Sequence, residues 1–158
     1  MIIFEKIDKL IRAVLISIRV LYYRLRLGWG VTVGGPIKIF GNRRNIIIKG
    51  KAGINAFCVI GASDDGKIII GNNVSISPCS VIVSYGLDTS VLDMKRPHKS
   101  SGDIVLEDNV WICSNVTVTG GIRIGKNSVV AAGSVVSKDV PADCIVAGVP
   151  AQIVKKLR

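Results

Sequence analysis

Residues 106–140 read LEDNVWICSNVTVTGGIRIGKNSVVAAGSVVSKDV, and an aliphatic side chain recurs at every sixth position of this stretch. The positions follow one another without slippage: Leu106, Ile112, Val118, Ile124, Val130 and Val136. Four residues after each stands a second small or β-branched residue: Val110, Val116, Ile122, Ser128, Ser134 and Val140. A helix has a period of about 3.6 residues and a strand a period of about two, so neither element alone produces this pattern.

A six-residue period is typical of a solenoid in which each hexad supplies one short strand and one turn. Three hexads close a triangular coil of about 18 residues, and successive coils pair as parallel sheets with their aliphatic positions stacked inside. The segments IGNN (70–73) and IGKN (124–127) carry glycine and asparagine, which accept the left-handed backbone of tight corners. The sequence therefore predicts an all-β fold, a parallel β-helix of hexapeptide repeats.

The same spacing continues upstream and is interrupted twice. It begins near Val33 and Ile39 and passes through Ile48, Ile54, Ile60, Ile70, Ile76 and Ile82. Four extra residues around 64–66 form the first interruption, and the hexads disappear for about twenty residues before Leu106. We expect this second gap, the loop 84–103, to be an external loop, because long loops on a rigid scaffold tend to carry function.

Composition limits the possible partners. The 158 residues suit one domain, and their 49% hydrophobic content excludes a disordered chain. The net charge of +10 favours anionic partners, but no nucleic-acid motif is present and the few aromatic residues do not alternate with basic ones, so we expect no nucleic acid. The four cysteines form no CxxC pair and are interpreted as reduced, small apolar side chains: Cys58, Cys79, Cys113 and Cys144.

Residues 1–30 are predicted to form a separate N-terminal arm, followed by the β-helix domain 31–158. Apolar residues of the arm recur every three or four positions, and six basic residues stand among them against two acidic ones. Charges interrupt the roughly 18 apolar residues that a bilayer-spanning helix needs, and no signal-peptide cleavage site is evident. We therefore predict an amphipathic α-helix. Residues 1–27 either contact the inner membrane surface or pack against the protein or a neighbouring subunit.

Three blocks in order, NVWI (109–112), AAGSVVSKDVP (131–141) and AGVPA (147–151), resemble the carboxy-terminal half of hexapeptide-repeat acyltransferases. This family includes galactoside and maltose acetyltransferases and the sugar O-acetyltransferases of bacterial surface polysaccharides. The resemblance runs from about Val33 to Leu157. It implies a left-handed parallel β-helix, a homotrimer with its sites in the clefts between subunits, and acetyl-CoA as the acyl donor.

The resemblance also implies site residues. Those that match coenzyme-binding positions are Trp111, Ser114, Ala132, Ser137, Lys138 and Lys155, the lysines lying near the phosphates. Asn55 and Asp65 are assigned to the acceptor, since galactoside-type enzymes carry Asn and Asp on the preceding coil. No metal is expected, because acyl transfer from a thioester needs only a base, an oxyanion donor and alignment of its substrates. Carbonic anhydrases that share this solenoid bind zinc through three histidines. This chain has one histidine, so that activity is excluded.

The catalytic base departs from the family pattern. Members often carry histidine in TGH or DGH where the chain enters the loop, but here the stretch is SYGLD (84–88) and Leu87 stands at that place. The only histidine, His98, follows eleven residues later, and serine acetyltransferases also use the returning side of the loop. We predict that His98 is the base. Tyr85 and Asp88 are assigned to the substrate side, with a part in proton transfer as the alternative.

The predicted function is acetyl-CoA-dependent O-acetylation of a sugar hydroxyl in surface-polysaccharide biosynthesis, by a cytoplasmic protein that is peripheral to the inner membrane face. Two alternatives stay open at this point. One is acetyl transfer to serine or a xenobiotic, and the other is a catalytically silent trimer that serves as a scaffold in a glycan-assembly complex.

Overall fold

The computed structural model describes residues 2–87 and 99–157. An N-terminal helix, α1 (Ile2–Leu27), is followed by short strands in coils of three. The first coil holds β1 (Val31–Val33), β2 (Lys38–Gly41), a 3₁₀ turn (Arg43–Asn45) and β3 (Ile46–Ile48). The second holds β4 (Ala52–Ile54), β5 (Val59–Ala62) and β6 (Ile68–Ile70). The third holds β7 (Val74–Ile76), β8 (Val81–Val83), a hairpin of β9 (Tyr85–Leu87) and β10 (Lys99–Ser101), and β11 (Ile104–Leu106).

The carboxy-terminal part continues the coils and then folds back. The fourth coil holds β12 (Trp111–Ile112), β13 (Thr117–Val118) and β14 (Arg123–Ile124), and the fifth begins with β15 (Val129–Val130) and β16 (Val135–Val136). The chain then forms β17 (Cys144–Gly148) and β18 (Ala151–Lys156), which pair antiparallel. Within the described residues the coil strands form three parallel sheets. Sheet A is β1-β4-β7-β12-β15-β17-β18, sheet B is β2-β5-β8-β13-β16 and sheet C is β3-β6-β11-β14.

The core consists of the aliphatic positions that define the hexads. In sheet A, Ile54 is the register partner of Ile76, which pairs in turn with Ile112 and then Val130 across successive coils. These four side chains are at most 1% exposed. Each such side chain buries apolar surface that is worth about 1.5–3 kcal/mol relative to exposure, which explains why the period is kept. The prediction of a parallel β-helix with an N-terminal helix is confirmed.

Asparagine side chains join the coils at one corner. The residues Asn73, Asn109 and Asn127 have φ near +58°, as the corner requires, and Asp143 continues the column with φ +56°. Asn73 Nδ2 donates to Asn109 Oδ1 at 2.9 Å, Asn109 Nδ2 donates to Asn127 Oδ1 at 2.9 Å, and Asn127 Nδ2 donates to Asp143 Oδ1 at 2.8 Å. The predicted left-handed corners are therefore present, and their side chains also link neighbouring coils.

The loop 84–103 leaves the solenoid as a hairpin. Its limbs pair antiparallel, with Leu87 opposite Lys99 and Tyr85 opposite Ser101. Ser84 fixes the base of the hairpin, because its buried hydroxyl donates to the Gly66 carbonyl and accepts from the Ser63 N–H. The predicted external loop thus begins and ends as a β-ribbon at the corner between sheets B and C.

Helix α1 contacts the solenoid near its end. Tyr23 and Leu27 pack against the core, and the Tyr23 hydroxyl donates to the Ile37 carbonyl at 3.1 Å. The opposite side of the helix carries an apolar stripe that is 48–69% exposed: Ile7, Leu10, Ile11, Val14, Ile18, Leu21 and Leu25. No helix in the described ranges is long and apolar enough to cross a membrane. Because Tyr23 and Leu27 lie on the side of α1 that meets the core, the apolar stripe on the opposite side faces away from the solenoid.

Candidate active site

Most of the predicted site residues lie at two edges of sheet B. In each coil the chain turns from sheet A into sheet B at one corner, here called the AB edge, and from sheet B into sheet C at the next, the BC edge. A strand with its corner spans five or six residues, so the edges are about 16–20 Å apart. Neither edge by itself holds all the groups that the predicted chemistry requires.

The AB edge brings together three of the predicted residues and lies beside a fourth. Ser114 and Ala132 occupy the same corner in successive coils, where the Gly133 N–H donates to the Ser114 carbonyl at 3.0 Å. Asn55 lies at this edge in the second coil, but its amide donates to the Ile76 carbonyl and so serves the corner itself. Trp111 lies on the outer face of sheet A, half exposed, with its indole N–H donating to Ser77 Oγ at 3.2 Å.

The BC edge carries a polar pocket next to the hairpin. Asp65 and Tyr85 line it together with Asn42, Ser63 and Asp64. Asn42 Nδ2 donates to Asp64 Oδ1 at 3.1 Å, which links the first and second coils. The predicted residues Ser137 and Lys138 stand exposed at the same edge in the fifth coil. Asp65 and Tyr85, which were predicted to contact one acceptor, are therefore brought together.

A groove runs along the outer face of sheet B and ends at the hairpin. Its floor is made by small side chains of β8 and β13, among them Val81, Val83 and Thr117, and its end by Tyr85 and Gly86. Gly121, at the margin of the groove, has φ +80°, and no atom lies within 4 Å of the point that a Cβ would occupy there. A groove of this kind can accept a flexible chain between the strand face and the loop base.

The predicted base lies outside the described residues, as does Asp88. His98 nevertheless directly precedes Lys99, and Lys99 is the register partner of Leu87. Leu87, which stands where the resemblance expects the catalytic histidine, is therefore paired with the residue that directly follows the predicted base in the sequence.

Lys155 belongs to neither edge. It lies on β18 at the end of sheet A, where it pairs with Ile145 of β17, and its side chain is exposed. Charged residues on a terminal strand also keep its open edge from pairing with other chains. The structure therefore offers a local role for this lysine beside its predicted contact with the coenzyme.

The thiol next to Ser114 does not resemble an activated nucleophile. Burial raises the pKa of the Cys113 thiol above its ordinary value, and burial likewise raises the pKa of Cys58. Both thiols are therefore protonated at neutral pH, whereas a thiolate would be the reactive form. Among the residues that the structure describes, no three His, Cys, Asp or Glu side chains are grouped as metal ligands.

Sequence reasoning missed several residues of the BC edge. Asn42 and Asp64 line the polar pocket, but only the extra residues around 64–66 in the second coil were recognised against the six-residue period. The signal that was available is the pair of corners: both the first and the second coil lengthen between their sheet B and sheet C strands. Register in sheet B, with Ile39 opposite Ile60, then brings the two lengthened corners side by side.

Known proteins share this fold and part of the sequence. The family described as bacterial transferase hexapeptide (six repeats) matches residues 103–138. A galactoside O-acetyltransferase of Escherichia coli is 37% identical over 94 residues, which cover 60% of this chain and 46% of that protein. The chain spans about half the length of the curated relatives it matches.

Solved structures extend the similarity over most of the chain. A hexapeptide-repeat-containing acetyltransferase of Vibrio cholerae, complexed with acetyl coenzyme A, is 32% identical with a TM-score of 0.68, covering 85% of this chain and 74% of its own. A maltose O-acetyltransferase of Clostridium difficile is 31% identical with a TM-score of 0.73, covering 81% of this chain and 67% of its own. The chain belongs to the hexapeptide-repeat acyltransferase family.

Proposed function

We propose that the chain is an acetyl-CoA-dependent O-acetyltransferase that modifies a sugar hydroxyl in surface-polysaccharide biosynthesis. The observation that carries this proposal is the pairing of Leu87 with Lys99. It supports His98 as the base, because Lys99 directly follows His98 and Leu87 stands where the family resemblance expects the catalytic histidine.

In the proposed reaction His98 accepts the proton of the sugar hydroxyl as its oxygen attacks the thioester carbonyl. A carbon–oxygen bond forms, the carbon–sulfur bond breaks, and the proton passes from the imidazole to the leaving sulfur, which gives the acetyl ester and the free thiol. The polar pocket suits the acceptor, since Asp65, Asn42 and Tyr85 offer acceptors and donors to sugar hydroxyls. The groove suits the pantetheine arm of the donor, and Lys138 suits its phosphates.

We further propose that the site is completed between subunits of a homotrimer. Trp111 lies on the outer face of sheet A, whereas the groove lies on sheet B, and two sides of a triangular coil face different directions. A Trp111 that walls the donor site would therefore have to come from a neighbouring copy. Closed cyclic assemblies provide such a contact, because the AB side of one subunit can face the BC edge of the next.

The arm suits an interfacial location at the inner membrane surface. Its exposed stripe is apolar, and the exposed residues Lys9 and Arg12 lie on the other side of α1, with Lys6 at the margin of the stripe. This is the pattern of helices that lie in a membrane interface. Residues 1–27 hold a net charge of +4, so the rest of the chain holds +6. A second copy would therefore present charge of the same sign, whereas anionic lipid would present the opposite sign.

The direct test is thiol release from acetyl-CoA with a panel of sugar acceptors. We expect His98→Ala to lower turnover by about 10²-fold or more with unchanged coenzyme affinity. Arg96→Ala, in the same loop, is the control for a general disturbance and should retain turnover. Equal turnover in His98→Ala and the unmodified chain would remove His98 from the mechanism, and no thiol release with any acceptor would favour the scaffold.

A further inference from the structure

A pocket unrelated to the groove lies where α1 meets the first coil. It is lined by apolar and aromatic side chains of the helix and the coil, with two cations: Tyr22, Tyr23, Leu27, Ile37, Ile39, Ile46, Lys38 and Arg43. The Tyr23 hydroxyl bonded to the Ile37 carbonyl fixes its inner wall. Its position is set by the fold, because this is the end of the solenoid at which no further coil covers the core.

The apolar wall consists of core positions that are left partly open. Ile39 pairs with Ile60 and Ile46 pairs with Ile68 in the next coil, where the partners are 1% and 0% exposed. Ile39 and Ile46 themselves are only half-buried, since α1 covers the end of the solenoid incompletely. Such a concave apolar surface gains free energy when an apolar chain displaces water from it.

The rim of this pocket is cationic. Lys38 and Arg43 are both exposed, and no carboxylate is found among the described residues that line the pocket. The Lys38 ammonium also lies 5.8 Å from the centre of the Phe40 ring, which keeps the charge at the rim. An arginine beside a lysine suits phosphate oxygens, because the guanidinium donates two parallel hydrogen bonds and the ammonium adds a point charge.

The pocket adjoins the polar pocket of the BC edge. Strand β2 runs from Lys38 to Gly41, and Gly41 and Asn42 line the polar pocket directly before Arg43 returns to the apolar one. Phe40 of β2 and Tyr85, which lines the polar pocket, meet edge to face with ring centres 6.1 Å apart. The first coil therefore presents an apolar pocket, two cations at its rim and an adjoining pocket of hydroxyl-binding side chains.

We infer that the pocket between α1 and the first coil binds the phosphate and the adjoining hydrocarbon of a lipid phosphate, and that the acetyl acceptor is a glycan attached to such a lipid. A lipid-linked sugar has the same order of chemical groups as this surface: hydrocarbon, phosphate and sugar. The acceptor half of the inference rests on the proposed function, whereas binding of a lipid phosphate does not.

The test is calorimetric titration of the full chain with farnesyl phosphate below its micelle concentration, beside farnesol and inorganic phosphate. We expect farnesyl phosphate to bind at least tenfold more tightly than either, because only it fills both the apolar wall and the cationic rim. Arg43→Gln should weaken the binding of farnesyl phosphate about tenfold or more. Its matched control is Arg44→Gln, the adjacent exposed arginine that does not line the pocket, and this change should leave binding unaltered.

Three results would overturn the inference. Farnesol could bind as tightly as farnesyl phosphate, or inorganic phosphate could bind as tightly as farnesyl phosphate. Alternatively, Arg43→Gln and Arg44→Gln could lose the same amount of affinity for farnesyl phosphate. Turnover separates this inference from the proposed function. With a free sugar acceptor, Arg43→Gln should keep the turnover of the unmodified chain. With a lipid-linked acceptor at low concentration, the turnover of Arg43→Gln should be about tenfold lower than that of the unmodified chain. A chain that binds farnesyl phosphate but releases no thiol would contradict the proposed reaction and leave the binding site standing.

Discussion

The third and fourth coils each contribute one strand to each of the three sheets, in the same register, yet they differ greatly in length. Ile76 and its partner Ile112 are 36 residues apart, whereas Ile112 and its next partner Val130 are 18 residues apart. The extra residues all leave at the BC edge, and the core positions on either side remain stacked. The hexads thus fix the inside of each coil, whereas a corner tolerates an insertion that can hold functional residues.

Replacing residues 88–98 by Asn-Gly would shorten the third coil towards the length of the fourth. This dipeptide favours the tight turn that joins two antiparallel strands, so β9 and β10 should close directly. We expect acetyl transfer to fall by about 10²-fold or more, because the base is removed. The free energy of unfolding should change by less than about 1 kcal/mol, since loop length contributes weakly to stability. Denaturant unfolding together with thiol release checks both, and unfolding of the variant would contradict the separation of core from corner.

A change inside the coil should have the opposite consequence. Ile112→Ala should lower the free energy of unfolding by about 3 kcal/mol, because Ile112 is fully buried and its removal leaves a cavity. Ile47→Ala is the matched control on an outward position that is 38% exposed, and it should cost less than about 1 kcal/mol. Urea unfolding measures both, and similar losses would contradict the inward stacking of the hexads.

The arm extends the comparison to a surface outside the coils. Ile18 and Ile16 are 60% and 57% exposed and lie about 160° apart around α1. We expect Ile18→Glu to weaken binding to phosphatidylglycerol vesicles about tenfold more than Ile16→Glu, since of the two residues only Ile18 belongs to the apolar stripe. Co-sedimentation with the vesicles measures this binding. Equal losses of vesicle binding in the two variants would indicate attraction by charge alone. If the unmodified chain does not bind vesicles and Ile18→Glu loses the oligomer, the stripe would be assigned to a subunit contact.

The smallest effect concerns the link between the third and fourth coils. Glu107 accepts from Arg123 Nη1 at 2.8 Å and from the Lys126 N–H at 2.9 Å, and these bonds hold the pKa of its carboxyl below the ordinary 4.5. Since the folded pKa is lowered, the contribution is present above pH 4.5 and is lost as the pH falls through the folded pKa.

Because this ion pair is partly exposed, Glu107→Gln should lower the free energy of unfolding at pH 7 by only about 0.5 kcal/mol. Unfolding measured from pH 7 to pH 3 should show the difference shrinking as the pH falls. A difference that stays constant over this range would contradict a role for the carboxylate charge.

The sequence was sufficient for the coils because a six-residue period has few physical solutions. Leu106, Ile112 and Val118 had to face inward if the hexads closed a coil, and they do. The hairpin was not foreseeable from the same pattern, since the pairing of Leu87 with Lys99 depends on where the two limbs leave the solenoid. The polar pocket was foreseen only in part, because Asn42 joins Asp64 through the register of neighbouring coils rather than through nearby sequence.

In the proposed trimer, the roles of Trp111 and the AB edge would depend on how copies of the chain meet. Local pattern specifies which side chains a coil presents, whereas the opposite wall of a cleft between subunits belongs to another chain. The residues predicted by resemblance to bind the coenzyme therefore fall at separate places in one chain: Trp111, Ser114, Ala132, Ser137, Lys138 and Lys155.

In the proposed trimer, the BC edge of one subunit and the AB edge of another form one acetyl-transfer site. The most direct test of this claim is the turnover of mixed oligomers assembled from His98→Ala, which lacks the base, and Ala132→Trp, which blocks the AB edge. In a cyclic trimer with random mixing, about one quarter of the interfaces combine the two intact edges, so we predict about a quarter of the unmodified turnover from two variants that are each nearly inactive. Turnover no greater than that of the separate variants would contradict the account.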